Sequence, residues 1–350
     1  MLGAATLVGS LPGTSPWEAT RVIRGELPDL PLLPEFPDRG PGADMIGRTM
    51  SMVARVSGEF SVETTPTGWR LGSSRSHSLS AAVRRALAWL GEDLDAAELA
   101  FNEFTGPFKI AMVGPWTLAA NVELANGESF LSDPGATAEL HAALAEAVVK
   151  QLDQLAKRLP RAKFVVQFDE PSLPQVLSGQ VATASGLNRF NAVDPQHAAT
   201  PLSTVFKVAE SVNATPGVHS CAKSNPVTML RTAGAQFLSL DLSIWPDKAL
   251  AREFADTDLG EFLDSGGILF AGLDTINSTS ITPLLRPLTD LLNRLGIPAS
   301  DLTGRLLVTP ACGLAPLPDL DSVRSVCELL AQAGRALRDE RVDGSDRDRY

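Results

Sequence analysis

The sequence predicts an α/β protein folded as a TIM-type (β/α)8 barrel, with its active site at the carboxyl-terminal ends of the strands. Two observations support this fold class. Short runs rich in Val, Ile, Leu and Phe alternate with longer segments whose apolar residues recur at helical spacing, which is the pattern of parallel βαβ units. The runs also end in polar or cysteine residues, as expected where barrel strands reach a functional face.

Eight apolar runs are predicted to be strands, at residues 4–8, 30–33, 109–113, 164–168, 217–219, 237–240, 268–271 and 306–308. Helical spacing of apolar residues predicts helices at 79–90, 138–159, 201–213, 284–295 and 320–337. A longer excursion, residues 37–107, separates the second and third strands. We therefore predict a single barrel domain over residues 1–337. Residues 338–350 are charged and lack an apolar stripe, so we expect them to be disordered.

Composition narrows the class of protein. The net charge of −11 over 350 residues argues against a nucleic-acid partner, which normally requires a basic patch. Three cysteines are too few for a disulfide framework, so we expect a reducing, cytoplasmic location. Residues 1–11 are apolar but short and lack a positive region, so we expect neither a signal peptide nor a membrane span.

The polar strand ends suggest a metal site. His219 and Cys221 stand two residues apart at the end of one predicted strand, and Cys312 follows another. Alternate residues of a strand point to the same side, so the side chains of His219 and Cys221 could bind one ion. With a carboxylate from a neighbouring strand, they would form a sulfur-rich zinc site that keeps one position free for a substrate thiol.

Each candidate has a structural alternative. A lone histidine such as His219 often lies in a core and is satisfied by hydrogen bonds, but the nearby cysteines favour a metal. The carboxylates of Asp169 and Glu170 either bind a ligand or cap the following backbone. Trp116 is more often a packing aromatic than a stacking platform. Cys327 lies on a helical pattern and is predicted to be buried packing.

Six motifs together resemble a known family. They occur in the same order in the carboxyl-terminal barrel of cobalamin-independent methionine synthases, and the similarity spans residues 4–335. The chain resembles the short, single-barrel members of that family found in actinobacteria. The motifs are Gly9-Ser10-Leu11-Pro12, Gly114-Pro115-Trp116-Thr117, Gln167-Phe168-Asp169-Glu170-Pro171, His219-Ser220-Cys221, Ser239-Leu240-Asp241 and Pro310-Ala311-Cys312-Gly313-Leu314.

The resemblance implies a zinc cofactor and homocysteine as the substrate. The zinc ligands would be His219, Cys221, Cys312 and Asp241. Asp241 is a departure, because it is a shorter carboxylate at the position of the family's glutamate.

The resemblance also assigns the contacts of homocysteine. Gly9 and Ser10 would hold the substrate carboxylate, while Asp169 and Glu35 would hold its amine. Two carboxylates around an ammonium form charge-assisted hydrogen bonds, and this arrangement leaves the thiol free to reach the metal.

The methyl-donor side differs from the family pattern. Asn121 stands in place of a tryptophan that stacks on folate, Gln175 in place of a folate-contacting acid, and Asn277 in place of a histidine that protonates the departing folate. An amide cannot act as that general acid. The donor therefore stays open between methyltetrahydrofolate and a methyl-corrinoid, the latter carried by a corrinoid protein partner.

Together these features predict a zinc-dependent S-methyltransferase of methionine biosynthesis, which methylates the thiol of homocysteine to give methionine. One alternative is a non-catalytic zinc- or amino-acid-binding protein that has lost methyl transfer. Another is a methyltransferase that acts on a different thiol.

Overall fold

Seven parallel strands form a curled, open sheet in the order β1-β10-β9-β8-β7-β6-β4. The computed structural model describes residues 2–72 and 78–347, and side chains up to residue 339. Ten strands occur within these ranges: β1 (Ala4–Ala5), β2 (Val62–Thr65), β3 (Gly68–Leu71), β4 (Pro107–Val113), β5 (Val122–Glu123), β6 (Lys163–Asp169), β7 (Thr215–Ser220), β8 (Phe237–Asp241), β9 (Ile268–Leu273) and β10 (Leu306–Pro310).

The prediction of a closed eight-stranded barrel is wrong. Seven of the eight predicted runs coincide with strands of the large sheet, but residues 30–33 do not form a strand. The segment around them makes only two isolated parallel bridges, Leu32 with Lys109 and Glu35 with Ser10. Pro31 and Pro34 flank the paired residues, and proline has no N–H to donate to a ladder. This segment therefore lies between β1 and β4 without continuous strand pairing.

A second, three-stranded sheet has the order β2-β3-β5. Strands β2 and β3 are antiparallel and belong to the excursion that the sequence places between residues 37 and 107. The short β5 adds to β3 in parallel just after the fourth strand of the chain. The sequence analysis did not predict this sheet.

Eleven helices connect the strands in the part of the chain that the structure describes. They are α1 (Pro16–Glu26), α2 (Met45–Val56), α3 (Ala81–Phe101), α4 (Pro115–Asn121), α5 (Pro134–Arg158), α6 (Leu173–Leu177), α7 (Pro195–Ser211), α8 (Val227–Ala233), α9 (Ala249–Asp264), α10 (Ile281–Leu295) and α11 (Leu320–Arg347). Several begin at a side chain that accepts a backbone N–H, such as Ser80 before α3 and Asp133 before α5.

The last helix, α11, continues to Arg347, through most of the segment that the sequence predicts to be disordered. Residues 348–350 lie outside the described residues. Cys327 is buried in this helix, as the helical pattern predicts. Among the helices described, none combines the length and apolarity that crossing a bilayer requires.

The interior of the curled sheet is divided between an apolar and a polar end. A separate apolar cluster lies toward the amino-terminal ends of the strands, where the rings of Phe237 and Phe270 stack with centroids 4.5 Å apart. Side chains alternate along a strand, so Val165, Gln167 and Asp169 share one face of β6. The polar residues of that face therefore lie beyond the apolar cluster, toward the carboxyl-terminal ends of the strands.

Candidate metal centre

The three sulfur and imidazole candidates come together at the carboxyl-terminal edge of the sheet. His219 lies in β7, Cys221 follows it, and Cys312 follows β10. Their possible ligand atoms all lie within 4.8 Å of one another, and the two Sγ atoms are 3.6 Å apart. Two sulfurs bound to one tetrahedral zinc at about 2.3 Å would be separated by roughly 3.8 Å. The spacing of the thiols thus fits a single ion.

The ring of His219 is oriented for ligation. Its Nδ1 lies 3.0 Å from Ser239 Oγ, and its Nε2 is buried without a hydrogen-bond partner. A buried polar atom without a partner is costly, so an ordinary core histidine would normally be satisfied at both nitrogens. With the lone pair of Nε2 on a metal, the ring proton lies on Nδ1 and is donated to Ser239 Oγ. The residues present therefore fit a metal ion.

The two thiols are electrostatically unequal. The Cys221 thiol and the His219 ring lower the pKa of Cys312, because both stabilise its thiolate. The neighbouring Cys312 raises the pKa of Cys221, and burial adds to this effect. Since thiolate is the form that binds metal, one thiolate of this pair is stabilised by its neighbours, and the positive charge of an ion would favour ionisation of both thiols.

Asp241, the residue expected to be the fourth ligand, is engaged in a local turn. Its Oδ1 accepts hydrogen bonds from the backbone N–H of Ser243 at 2.9 Å and from Ser243 Oγ at 2.6 Å. Its carboxylate is not among the atoms that meet within 4.8 Å. The geometry thus brings together three of the four predicted ligands.

One buried carboxylate, Asp169, adjoins the metal candidates, and a second, Glu35, lies close enough to Asp169 to interact with it electrostatically. Asp169 is paired in register with His219, and burial raises its pKa while the charge of His219 lowers it. Burial also raises the pKa of Glu35 to about 7, and the positive charge of Arg48 opposes this. Arg48 Nη1 lies 3.7 Å from Glu35 Oε1, which has no hydrogen-bond partner among the described residues. Such an acid can accept a hydrogen bond from a ligand.

The loop at Gly9 and Ser10 lies beside Glu35 and beside the segment that follows Cys312. The backbone N–H of Glu35 donates to Gly9 O at 3.1 Å, and the N–H of Leu314 donates to Ser10 O at 2.8 Å. Gly313 packs directly against Ser10, because a Cβ at residue 313 would overlap Ser10 Oγ unless that hydroxyl rotated away. The structure therefore places Gly9, Ser10, Glu35 and Asp169 around the strand ends that carry the cysteines.

Glu170 has a different function from its neighbour Asp169. It is fully buried and accepts hydrogen bonds from the N–H groups of Trp116 and Thr117 and from Thr117 Oγ1, at 2.7 to 2.9 Å. A Cβ at Gly114 would overlap this carboxylate. Glu170 therefore caps the start of α4, which precedes it in the chain, and not the backbone that follows it, as the alternative in the sequence analysis had it.

Three positions that the resemblance assigns to the methyl donor carry amides, and two of these amides make local hydrogen bonds. Asn121 Nδ2 donates to Thr117 O at 2.8 Å, and Asn277 Nδ2 donates to Asp274 Oδ2 at 2.9 Å. Gln175 is exposed. Trp116 is buried and its Nε1 donates to Ala198 O at 2.8 Å, so it is a packing aromatic.

Sequence reasoning gave no role to four buried polar residues of this region, although two of them, Gln167 and Ser239, lie in the motifs: Arg48, Lys109, Gln167 and Ser239. Lys109 and Gln167 interrupt runs that otherwise consist of apolar residues, and this interruption is a signal that could have identified them. Ser239 stands two positions before Asp241, so strand alternation places it on the same face. Arg48 lies in α2, and nothing in its sequence context indicates burial.

Comparisons with known proteins support the fold. No protein-family model and no curated protein matches the chain. Among solved structures, a B12-independent methionine synthase from Shewanella sp. W3-18-1, in complex with selenomethionine, matches over 98% of this chain and 100% of its own, with 14% identity and a TM-score of 0.60.

Two further solved structures match less well. An oxaloacetate acetylhydrolase matches over 91% of this chain and 80% of its own, with 10% identity and a TM-score of 0.37. A 2,3-dimethylmalate lyase matches over 99% and 92%, with 13% identity and a TM-score of 0.38. These two scores are too low to carry an argument. The comparisons therefore show that the chain shares its α/β fold with the Shewanella enzyme.

Proposed function

We propose that this chain is a zinc-dependent S-methyltransferase that methylates homocysteine to give methionine. The observation that carries the proposal is the unpartnered Nε2 of His219 beside two thiols 3.6 Å apart, near two buried carboxylates. A protein that only bound a structural metal would not need buried acids near that metal, one of them, Glu35, with an oxygen that has no hydrogen-bond partner among the described residues. A methyltransferase for an amino-acid thiol needs a metal to activate the thiol and carboxylates to bind the ammonium group of the same molecule.

His219, Cys221 and Cys312 would hold the zinc, and the remaining position would accept the substrate thiol. When bound, zinc lowers the pKa of a thiol in contact with it, so that a nucleophilic thiolate exists at neutral pH. Ser239 fixes the His219 ring through the contact to Nδ1. Asp241 would be a ligand only if its turn rearranged, because its Oδ1 is bonded to Ser243.

Asp169 and Glu35 would bind the substrate ammonium. Asp169 lies beside His219 in the sheet, so an amine bound there would leave the thiol of the same molecule near the cysteines. Gly9 and Ser10 would hold the substrate carboxylate. Exclusion of water by the buried surroundings strengthens these charge-assisted contacts.

The proposed donor is a methyl-corrinoid carried by a protein partner. In this step the sulfur–carbon bond forms, the carbon–cobalt bond breaks, and the electron pair of that bond stays on cobalt. The leaving group needs no proton, which suits a chain with Asn277 where the resemblance expects a general acid. Methyltetrahydrofolate is the second candidate, but its departing nitrogen would require a proton.

The test is methionine formation by purified protein loaded with zinc, with homocysteine as acceptor. Methylcobalamin and methyltetrahydrofolate are supplied in parallel reactions, and Cys312→Ser and Cys327→Ser are assayed beside the wild type. We expect turnover with methylcobalamin, loss of zinc and activity in Cys312→Ser, and wild-type behaviour in Cys327→Ser. No methionine from either donor would contradict the proposal, whereas turnover with methyltetrahydrofolate alone would contradict the corrinoid donor.

A further inference from the structure

Lys109 is a buried lysine that does not touch the metal candidates. Only 1% of its surface is exposed. Its Nζ donates hydrogen bonds to Val8 O at 2.6 Å and to Gln167 Oε1 at 2.7 Å. Burying an amine in this way is costly, since lysine is almost never fully buried without partners. Because an apolar side chain would fill this space without the cost of burying an amine, packing alone does not explain Lys109.

The contacts with Val8 and Lys109 fix the orientation of the Gln167 amide. Val8 O, which contacts the same amide, can only accept, so it must face the amide nitrogen, and the amide oxygen faces Lys109 Nζ. The amide nitrogen then faces two acceptors, Val8 O at 3.1 Å and Asp169 Oδ1 at 2.7 Å. A flipped amide would place its oxygen against the carboxylate of Asp169 and its nitrogen against the amine. The hydrogen bonds therefore run in one direction, from Lys109 through Gln167 to Asp169.

We propose that Lys109 and Gln167 are positioning residues that hold Asp169 ready for the α-ammonium of the substrate and thereby set a preference for amino-acid thiols. This inference rests on the proposed function. The donated hydrogen bond leaves Asp169 Oδ2 for the ligand and stabilises the ionised form of the carboxylate.

The arrangement does not depend on the charge of Lys109. A neutral amine still has two N–H groups, enough for Val8 O and for Gln167 Oε1. The acids that act on Lys109 electrostatically are Asp169 and Glu35, the two residues proposed to bind the ammonium. The Lys109 side chain thus lies close to both acids that are proposed to bind the ammonium, and it positions Asp169 through Gln167.

The experiment is a double-mutant cycle on ligand preference. Calorimetry measures the affinity of zinc-loaded protein for homocysteine and for its deaminated analogue mercaptobutanoate, in the wild type, Lys109→Met, Gln167→Met and the double variant. We expect each single variant to reduce the preference for homocysteine about tenfold or more, with little change in mercaptobutanoate binding. The double variant should match the single variants, because both residues act through one chain of hydrogen bonds.

Thr6→Val is the matched control. Thr6 is fully buried and its Oγ1 donates to Leu30 O at 2.9 Å, a hydrogen bond that involves none of Lys109, Gln167 and Asp169. This variant loses a buried hydrogen bond but should keep the full preference. Zinc content, measured in every protein, should stay at one ion per chain. Gln167→Met closely preserves volume and tests the inference even if Lys109→Met does not fold.

The outcomes separate this inference from the proposed function. A wild-type preference that persists in Lys109→Met or Gln167→Met overturns the positioning role alone. Fully additive effects in the double variant overturn the action of Lys109 through Gln167. Equal affinities for the two thiols in the wild type contradict the ammonium site itself, and with it the proposed function and this inference together.

Discussion

Removal of the Ser239 hydroxyl should weaken zinc binding without removing a ligand. His219 Nδ1 and Ser239 Oγ are 3.0 Å apart, and both residues are buried. In Ser239→Ala the ring N–H loses its acceptor, and an unsatisfied buried donor costs about 1–3 kcal/mol. Since about 1.4 kcal/mol is a factor of ten, we expect zinc affinity to fall about fivefold to a hundredfold, in line with the usual effect of losing such a partner.

The assay is competition for zinc against a chromophoric chelator at neutral pH, with Ser220→Ala as the matched control. Ser220 is the adjacent buried serine of β7, and its Oγ only accepts a 3.4 Å contact from the N–H of Ala222. Its side chain points to the opposite face of the strand. Zinc affinity should be unchanged in Ser220→Ala. Equal affinities of Ser239→Ala and the wild type would refute the assigned orientation of the His219 ring.

Three further predictions concern the buried acids. Asp169→Asn should weaken homocysteine binding by about 1.5–3 kcal/mol in calorimetry and leave mercaptobutanoate binding unchanged; equal losses for both thiols would remove Asp169 from the amine site. Because burial raises the pKa of Glu35 from 4.5 to about 7, the folded state binds more protons in that interval, and stability falls as pH rises through it. Urea unfolding with chelator present should show that Glu35→Gln flattens this decrease, whereas parallel curves would contradict it. Glu170→Gln should lower the free energy of unfolding by about 1–3 kcal/mol, because one N–H of Trp116 or Thr117 loses its acceptor; unchanged stability would argue against the cap.

Periodicity located most of the strands correctly, but it wrongly predicted an eighth strand and therefore a closed barrel. Buried parallel strands are nearly continuous apolar runs, and seven such runs were located correctly. Residues 30–33 have the same apolar character, yet Pro31 and Pro34 remove the donors that a ladder needs. Weighing those two prolines would have corrected the fold. The β2-β3-β5 sheet escaped prediction because its strands are short and only partly buried.

The candidate site could be predicted where a motif fixed the direction of a side chain. The spacing of His219 and Cys221 on one strand end was enough to bring them together, and Cys312 emerged at the same edge. The turn that engages Asp241 is a local competition between side chain and backbone, which spacing does not reveal. The contact between Lys109 and Gln167 joins residues 58 positions apart on neighbouring strands, so only the register of the sheet could show it.

X-ray absorption at the zinc edge tests the central claim most directly, because it counts the sulfur atoms bound to the metal. Protein loaded with one zinc per chain is measured before and after saturation with homocysteine. The account predicts two sulfurs before addition, from Cys221 and Cys312, and three afterwards, the third from the substrate thiol. A count that stays at two while calorimetry shows homocysteine bound would contradict a thiol-activating zinc centre. A metal shell without sulfur would contradict the site itself.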